Sequence, residues 1–131
     1  MSRLSLRALT PPRFVIAAAV LLPVVLAPPE AQAHAHLVKA TPAVGGSVAS
    51  ASEIRLEFSE GVEPRFSGVT LTAAGGATVP LGQPKVEASD QRVLIVPIAK
   101  ALAPGAYTVH WRAVSVDTHH TQGDFQFTVK P

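Results

Sequence analysis

Four histidine and aspartate residues carry the chemistry that this sequence could perform. Asp117 and His119 are separated by one residue, and His34 and His36 form a second pair with the same spacing. In an extended backbone, side chains two residues apart point to the same side and lie about 7 Å apart along the chain. A carboxylate and an imidazole placed in this way can converge on one metal ion. Because an isolated Asp-x-His motif is a weak signal, the position of the other histidines decides the interpretation.

Residues 1–33 have the composition of a secretory signal peptide. Three arginines make the front positive, residues 14–27 form an apolar run, and residues 31–33 (AQA) are a small-x-small cleavage site. The apolar run is too short to span a bilayer comfortably. We therefore expect cleavage after Ala33 and a mature domain of residues 34–131 that is periplasmic, secreted or at the cell surface. An uncleaved anchor and cleavage after Ala35 are the alternatives.

Export changes the charge and redox arguments. Residues 34–131 contain eight basic and eight acidic residues, so their formal net charge is zero with neutral histidine. A neutral domain without a basic cluster argues against a nucleic-acid partner. The chain has no cysteine, which excludes disulfides, thiol nucleophiles and zinc–cysteine sites, and its one methionine is Met1. No second apolar run follows the signal peptide, so we expect no membrane span in the mature chain.

The mature sequence predicts short β-strands separated by turn residues. Residues 53–59 alternate cleanly, with Ile54, Leu56 and Phe58 on the inward face. The other candidate strands are residues 37–40, 68–73, 78–81, 85–88, 92–98, 106–114 and 124–130. No long apolar pattern of helical period is present. About seven short strands with frequent turns indicate an all-β fold, an antiparallel β-sandwich.

Residues 102–107 (LAPGAY) have the pattern of a tyrosine corner, in which the phenol bonds back to nearby backbone. Tyr107, Val109 and Trp111 then share one face, which we assign to the core. A core role for Trp111 is favoured over a carbohydrate-stacking platform. His110 falls on the opposite face, as an ordinary solvated residue.

Cleavage after Ala33 would make His34 the terminal residue, whose amine and ring Nδ1 can chelate one metal ion. The His119 imidazole and an Asp117 carboxylate oxygen would complete a set of three nitrogens and one oxygen. This set suits the tetragonal geometry of Cu(II), which also has the highest affinity among the divalent ions. Zinc accepts similar ligands but prefers a tetrahedron.

Three interpretations of the same residues do not need this shared site. His34-Ala35-His36 could be residual signal sequence. The same tripeptide could bind Cu(II) alone, through its amine, two deprotonated amides and the His36 ring. Asp117 could simply tighten a turn with Thr118 and Thr121.

Ordered motifs run through the whole mature sequence: residues 34–38 (HAHLV), 41–43 (TPA), 56–60 (LEFSE), 102–107 (LAPGAY) and 111–119 (WRAVSVDTH), followed by Gly123 and residues 125–129. In these motifs the chain resembles the CopC family of exported copper-binding proteins. The resemblance implies a seven-stranded Greek-key β-sandwich or barrel, immunoglobulin-like or cupredoxin-like, that binds one Cu(II) per chain. It implies His34, Asp117 and His119 as ligands, with His36 as a further candidate and His120 outside the set.

On this resemblance we expect a Cu(II)-binding protein of copper homeostasis or resistance, which buffers copper, sequesters it or delivers it to a membrane importer. Some family members carry a methionine-rich loop for Cu(I), and the lack of methionine in residues 34–131 predicts binding of Cu(II) only.

Two rival functions are a copper-dependent oxidative enzyme of the terminal-histidine type and a metal-free immunoglobulin-like interaction domain. We expect no enzyme, because the aromatic residues fall nearly all at inward strand positions and four ligands leave little room for oxygen.

Overall fold

The computed structural model of the protein describes Thr10 and residues 34–131, so the predicted signal peptide lies, apart from Thr10, outside the described residues. The described residues form nine strands, and they include no helix that could cross a membrane. In chain order the strands are β1 (Leu37–Thr41), β2 (Ser47–Val48), β3 (Glu53–Phe58), β4 (Gly68–Ala73), β5 (Thr78–Val79), β6 (Lys85–Glu87), β7 (Asp90–Pro97), β8 (Gly105–Val114) and β9 (His120–Val129).

The strands form two sheets that enclose one hydrophobic core. The first sheet has the order β1-β3-β7-β6 and the second has the order β2-β9-β8-β4-β5. The core draws buried side chains from both sheets, such as Leu56 on β3 and Val109 on β8, each fully buried. The predicted all-β sandwich is confirmed.

Strand β3 shows why this sequence forms a sheet with one solvent-exposed face and one buried face. Ile54, Leu56 and Phe58 are fully buried, and the residues between them are half-exposed. This is the alternation that a strand requires when only one of its faces meets the core. Strand β7, whose sequence is almost continuously apolar, lies between β3 and β6, in agreement with its predicted central place.

Two strands differ from the predictions. Strand β9 begins at His120, four residues before the predicted start, because full-length pairing with β8 carries polar residues into the ladder. The short strand β2 was not predicted, since two residues show no periodicity, and it pairs in parallel with the end of β9. Strands β5 and β6 lie at sheet edges, as their neighbouring prolines suggested.

The tyrosine corner is present. The Tyr107 hydroxyl donates a hydrogen bond to the Ala103 carbonyl at 2.6 Å, and the ring stacks on Phe127 inside the core. Trp111 is half-buried and packs edge-on against Phe58, with 5.2 Å between ring centroids. His110 is exposed, as expected, and its Nδ1 lies 2.7 Å from Asp124 Oδ1.

Trp111 can pack on the second sheet only because Gly123 lies opposite it on β9. A Cβ atom at Gly123 would lie 2.7 Å from Cζ2 of the indole and 2.9 Å from Cε2. We therefore expect Gly123→Ala to lower the free energy of unfolding by about 1–3 kcal/mol, as overpacking in a core does. Urea denaturation followed by fluorescence of Trp111, the only tryptophan, measures it.

Gly75→Ala is the matched control, because a Cβ there meets nothing within 4 Å. Equal stability of the two alanine variants would contradict the proposed packing of Trp111 on Gly123.

Candidate metal centre

The loop that joins β8 to β9 carries Asp117 and His119 at one end of the sandwich. The two strands pair from Gly105↔Val129 to Val114↔His120, so that only residues 115–119 remain to connect them. The Thr118 N–H donates to the carbonyl of Ser115 at 2.8 Å, and Thr118 has a φ of 74°. The backbone between Asp117 and His119 is therefore not extended, so the alternation of side chains in a strand does not apply to this pair. The ladder continues to Val114↔His120, and the short connection left over must turn tightly.

The turn brings the Asp117 and His119 side chains into direct contact. Asp117 Oδ2 lies 3.0 Å from His119 Nδ1. Asp117 Oδ1 accepts a hydrogen bond from the Ser115 hydroxyl and a longer one, at 3.4 Å, from the His119 N–H. Asp117 thus does tighten a turn, but with Ser115 and His119 rather than with Thr118 and Thr121. This role leaves its carboxylate on the surface, next to an imidazole.

Ser115 anchors this loop to the rest of the fold. Its side chain is fully buried, although it is polar, and it forms an isolated β-bridge with Val62. The neighbouring Val116 N–H donates to the Gly61 carbonyl at 3.0 Å. The segment after β3 therefore holds the loop from the side and fixes the point from which Asp117 projects.

Residues 34–36 are tied to the fold just before β1 begins. The methyl group of Ala35 is fully buried, and its carbonyl accepts a hydrogen bond from Thr121 Oγ1 at 2.6 Å. The His36 N–H donates to Ser59 Oγ at 3.0 Å, and the Ser59 N–H donates to the His36 carbonyl at 2.9 Å. We call these four residues, Ala35, His36, Ser59 and Thr121, the amino-terminal clamp.

The clamp places His34 beside the loop. The imidazole rings of His34 and His119 lie edge to face, with centroids 4.8 Å apart. Three of the predicted site residues, His34, Asp117 and His119, thus come together from distant parts of the sequence. His36 is exposed, and no ring contact or hydrogen bond joins its side chain to these three within residues 34–131. His120 lines a neighbouring groove.

Imidazole nitrogens and a carboxylate oxygen are donors that divalent transition metals accept. Within the described residues, however, no three side chains of His, Asp or Glu are already set to hold a metal ion. One reason is that Asp117 and His119 contact each other. The donor types fit a copper or zinc ion.

The charge of Asp117 is favoured by its surroundings. The pKa of the Asp117 carboxyl lies below its ordinary value, chiefly because the Ser115 hydroxyl donates a hydrogen bond to it. The side chain and backbone N–H of His119 act in the same direction. The carboxylate is therefore ionised at neutral pH and needs no deprotonation before it binds a cation.

Four positioning residues escaped the sequence analysis: Ala35, Ser59, Ser115 and Thr121. Ser115 could have been suspected, since its hydroxyl is two residues from Asp117. The other three act over long sequence separations, and no local pattern indicates them.

The aromatic side chains were expected to face inward at nearly all positions. Phe66 is an exception, because it is 64% exposed.

Removing the Ser115 hydroxyl tests its effect on Asp117. We expect Ser115→Ala to raise the pKa of Asp117 toward the ordinary carboxyl value, because the main stabilising donor is lost. A lowered folded-state pKa contributes stability that is present above the ordinary value and is lost as the pH falls through the lowered value. The variant should accordingly carry a smaller contribution of this kind, and should lose less stability than the wild type as the pH falls below the ordinary carboxyl value.

NMR titration of the side-chain carboxyl carbon measures the pKa directly. Ser67→Ala is the control, because the buried Ser67 hydroxyl bonds the Val114 N–H and not Asp117. An unchanged Asp117 pKa in Ser115→Ala would contradict the proposed role of the hydroxyl.

Comparison with known proteins assigns the fold and the family. The family described as the CopC domain matches residues 37–130. The chain is 45% identical to "Protein YobA" of Escherichia coli strain K12 over 106 residues, which cover 80% of this chain and 86% of that protein. The crystal structure of CopC from Methylosinus trichosporium OB3b matches with a TM-score of 0.69 and 35% identity, over 75% of this chain and 95% of that one. PcoC, a methionine-rich copper resistance protein from Escherichia coli, matches with a TM-score of 0.68 and 35% identity, over 75% and 100%. The protein belongs to the CopC family.

Proposed function

We propose that the mature protein is an exported Cu(II)-binding protein of copper homeostasis or resistance, which binds one Cu(II) at the loop end of the sandwich. One observation carries the proposal: the clamp brings His34 to within 4.8 Å, between ring centroids, of His119, which itself contacts Asp117. The copper resistance function named for a structural relative of 35% identity supports copper as the cargo.

The proposed ligands are the His34 amine and ring, the His119 imidazole and the Asp117 carboxylate. A neutral imidazole carries a proton on one nitrogen only. His119 Nδ1 lies against Asp117 Oδ2, so we place the imidazole proton on Nδ1, where it can be donated to the carboxylate. The lone pair of His119 Nε2 is then available to the metal. Three nitrogens and one oxygen favour Cu(II) in a tetragonal arrangement. His36 stays a weaker candidate, because its exposed ring contacts none of the others.

The clamp supports cleavage after Ala33 rather than after Ala35. Ala35 is fully buried, and its carbonyl bonds Thr121. Cleavage after Ala35 would remove this anchor and the His34 ligand together. We therefore propose that residues 1–33 are the cleaved signal peptide, that residues 34–131 are the functional domain, and that the mature protein is periplasmic, secreted or at the cell surface.

The clamp also argues against copper binding by the terminal tripeptide alone. That binding mode uses the deprotonated amide nitrogen of His36. In the structure this N–H donates to Ser59 Oγ at 3.0 Å, and Ala35 is packed in the core. Local binding would have to pull residues 34–36 out of the fold, which costs the burial and the hydrogen bonds together. The shared site keeps both.

Within this proposal the protein acts without catalysis, by buffering or sequestering copper or by delivering it to a membrane copper importer. An oxidative enzyme would need an exposed flat face with several aromatic residues. Among the described residues Phe66 is the one aromatic side chain that is mostly exposed, and it lies in a turn. A single exposed ring does not form such a face. A mature protein that binds no Cu(II) would instead favour the metal-free interaction domain.

Single substitutions distinguish the shared site from local binding. We expect Asp117→Ala and His119→Ala to weaken Cu(II) binding by at least about 100-fold, since even outer partners of metal ligands contribute 10- to 100-fold. His36→Ala should weaken it by less than about threefold. Competition with a chelator of known affinity measures the dissociation constants, and EPR should show nitrogen couplings that change in His119→Ala.

His110→Ala is the matched control, because it removes another exposed imidazole from β8, away from the loop. The shared site is wrong if His36→Ala abolishes tight binding while His119→Ala leaves it intact. Intact mass of the mature protein establishes beforehand that it begins at His34.

Redox selectivity gives a separate prediction. Residues 34–131 contain neither cysteine nor methionine, so no soft sulfur ligand is available for Cu(I). Ascorbate should therefore release the copper to a Cu(I) chelator, and the loaded protein without ascorbate should keep it. Retention of Cu(I) against the chelator would contradict the proposed ligand set.

A further inference from the structure

An aromatic side chain is held in solvent beside the metal loop. Phe66 is 64% exposed, yet the turn that carries it is firmly attached. The N–H groups of Phe66 and Ser67 both donate to the Glu63 carbonyl, at 3.1 and 3.0 Å. The Glu63 N–H donates to the Val114 carbonyl at 2.8 Å, and the Val114 N–H donates to the buried Ser67 hydroxyl at 3.0 Å. The exposure of Phe66 is thus imposed by a structured turn.

Phe66 forms one wall of a groove of about 670 Å³, which we call the Phe66 groove. Arg65, Arg112, Thr118 and His120 also line it. Thr118 lies between Asp117 and His119 in the sequence, so the groove adjoins the candidate metal centre without sharing its donors. A molecule seated in the groove would lie next to that centre.

The groove is positively charged. Among the described residues, Arg55 and Arg92 form ion pairs, with Glu87 and Asp90, whereas Arg65 and Arg112 have no acidic partner within 4 Å. None of the residues that line the groove is acidic. Arginine and aromatic residues, Phe included, are enriched at the cores of protein interfaces relative to the rest of a protein surface.

We propose that the Phe66 groove binds an acidic, extended segment of a partner protein. Its carboxylates would pair with Arg65 and Arg112, whose planar guanidinium groups match a carboxylate in two-point hydrogen bonding. An apolar side chain of the segment would cover Phe66. A concave groove suits a protruding chain segment better than the flat surface of an anionic membrane. The inference goes beyond the proposed copper function and does not depend on it.

A labelled peptide tests the proposal on the metal-free mature protein. The probe is the peptide Glu-Glu-Leu-Glu-Glu-Leu-amide with fluorescein on its amino terminus, and its binding is followed by fluorescence anisotropy in the presence of a chelator. We expect binding that weakens as salt is added, since charge pairing is screened. The same peptide with Gln in place of Glu should not bind. Arg65→Glu and Arg112→Glu should each weaken binding about tenfold or more, and Phe66→Ser several-fold.

Lys100→Glu is the matched control, because it makes the same charge change at an exposed residue before the opposite end of β8. Unchanged far-ultraviolet circular dichroism shows that each variant is folded. The proposal is overturned if the acidic peptide does not bind, or if Arg65→Glu and Arg112→Glu bind it as well as Lys100→Glu does. Binding to phosphatidylglycerol vesicles without binding to the peptide would overturn it in favour of a membrane surface. Because no copper is present, failure of the copper proposal would leave this result unaffected.

Discussion

The burial of Ala35 is the constraint on which the candidate site depends. This small side chain is fully enclosed, and the Ala35 carbonyl bonds Thr121, the second residue of β9. Ala35 lies two residues before β1, a strand of the first sheet, whereas Thr121 belongs to the second sheet. The contact therefore ties the start of the domain across the sandwich and sets His34 beside His119. A metal ion bound between them would bind the folded state preferentially and would stabilise it.

The β8–β9 hairpin organises the other half of the site and the surface next to it. Its ladder continues without interruption to Val114↔His120, and the short loop beyond it must turn, which brings Asp117 against His119. The same end of β8 holds the turn of Phe66 through the hydrogen bonds of Val114. A rigid scaffold thus presents two loops side by side, one with metal-binding chemistry and one with cationic and apolar character.

The fold could be predicted from the sequence where structure follows from a short local pattern, such as alternating apolar residues or a turn followed by tyrosine. The alternation of β3 and the residues that lead to Tyr107 are patterns of this kind, and both are confirmed. The start of β9 and the strand β2 could not be predicted, because only pairing with distant strands makes those residues extended. At the site, the types of the residues predicted that His34, Asp117 and His119 would lie close together. The clamp and the positive φ of Thr118 arise from contacts and turn geometry that no local spacing encodes.

We propose that the folded sandwich, through the clamp, assembles one copper site from both ends of the domain. Anomalous diffraction at the copper edge, from crystals of the mature protein loaded with one equivalent of Cu(II), tests it most directly. We expect a single copper peak within bonding distance of the His34 amine and ring, the His119 ring and the Asp117 carboxylate, with the Thr121–Ala35 hydrogen bond intact. A copper ion bound only by residues 34–36, with that hydrogen bond broken and His119 out of reach, would contradict it.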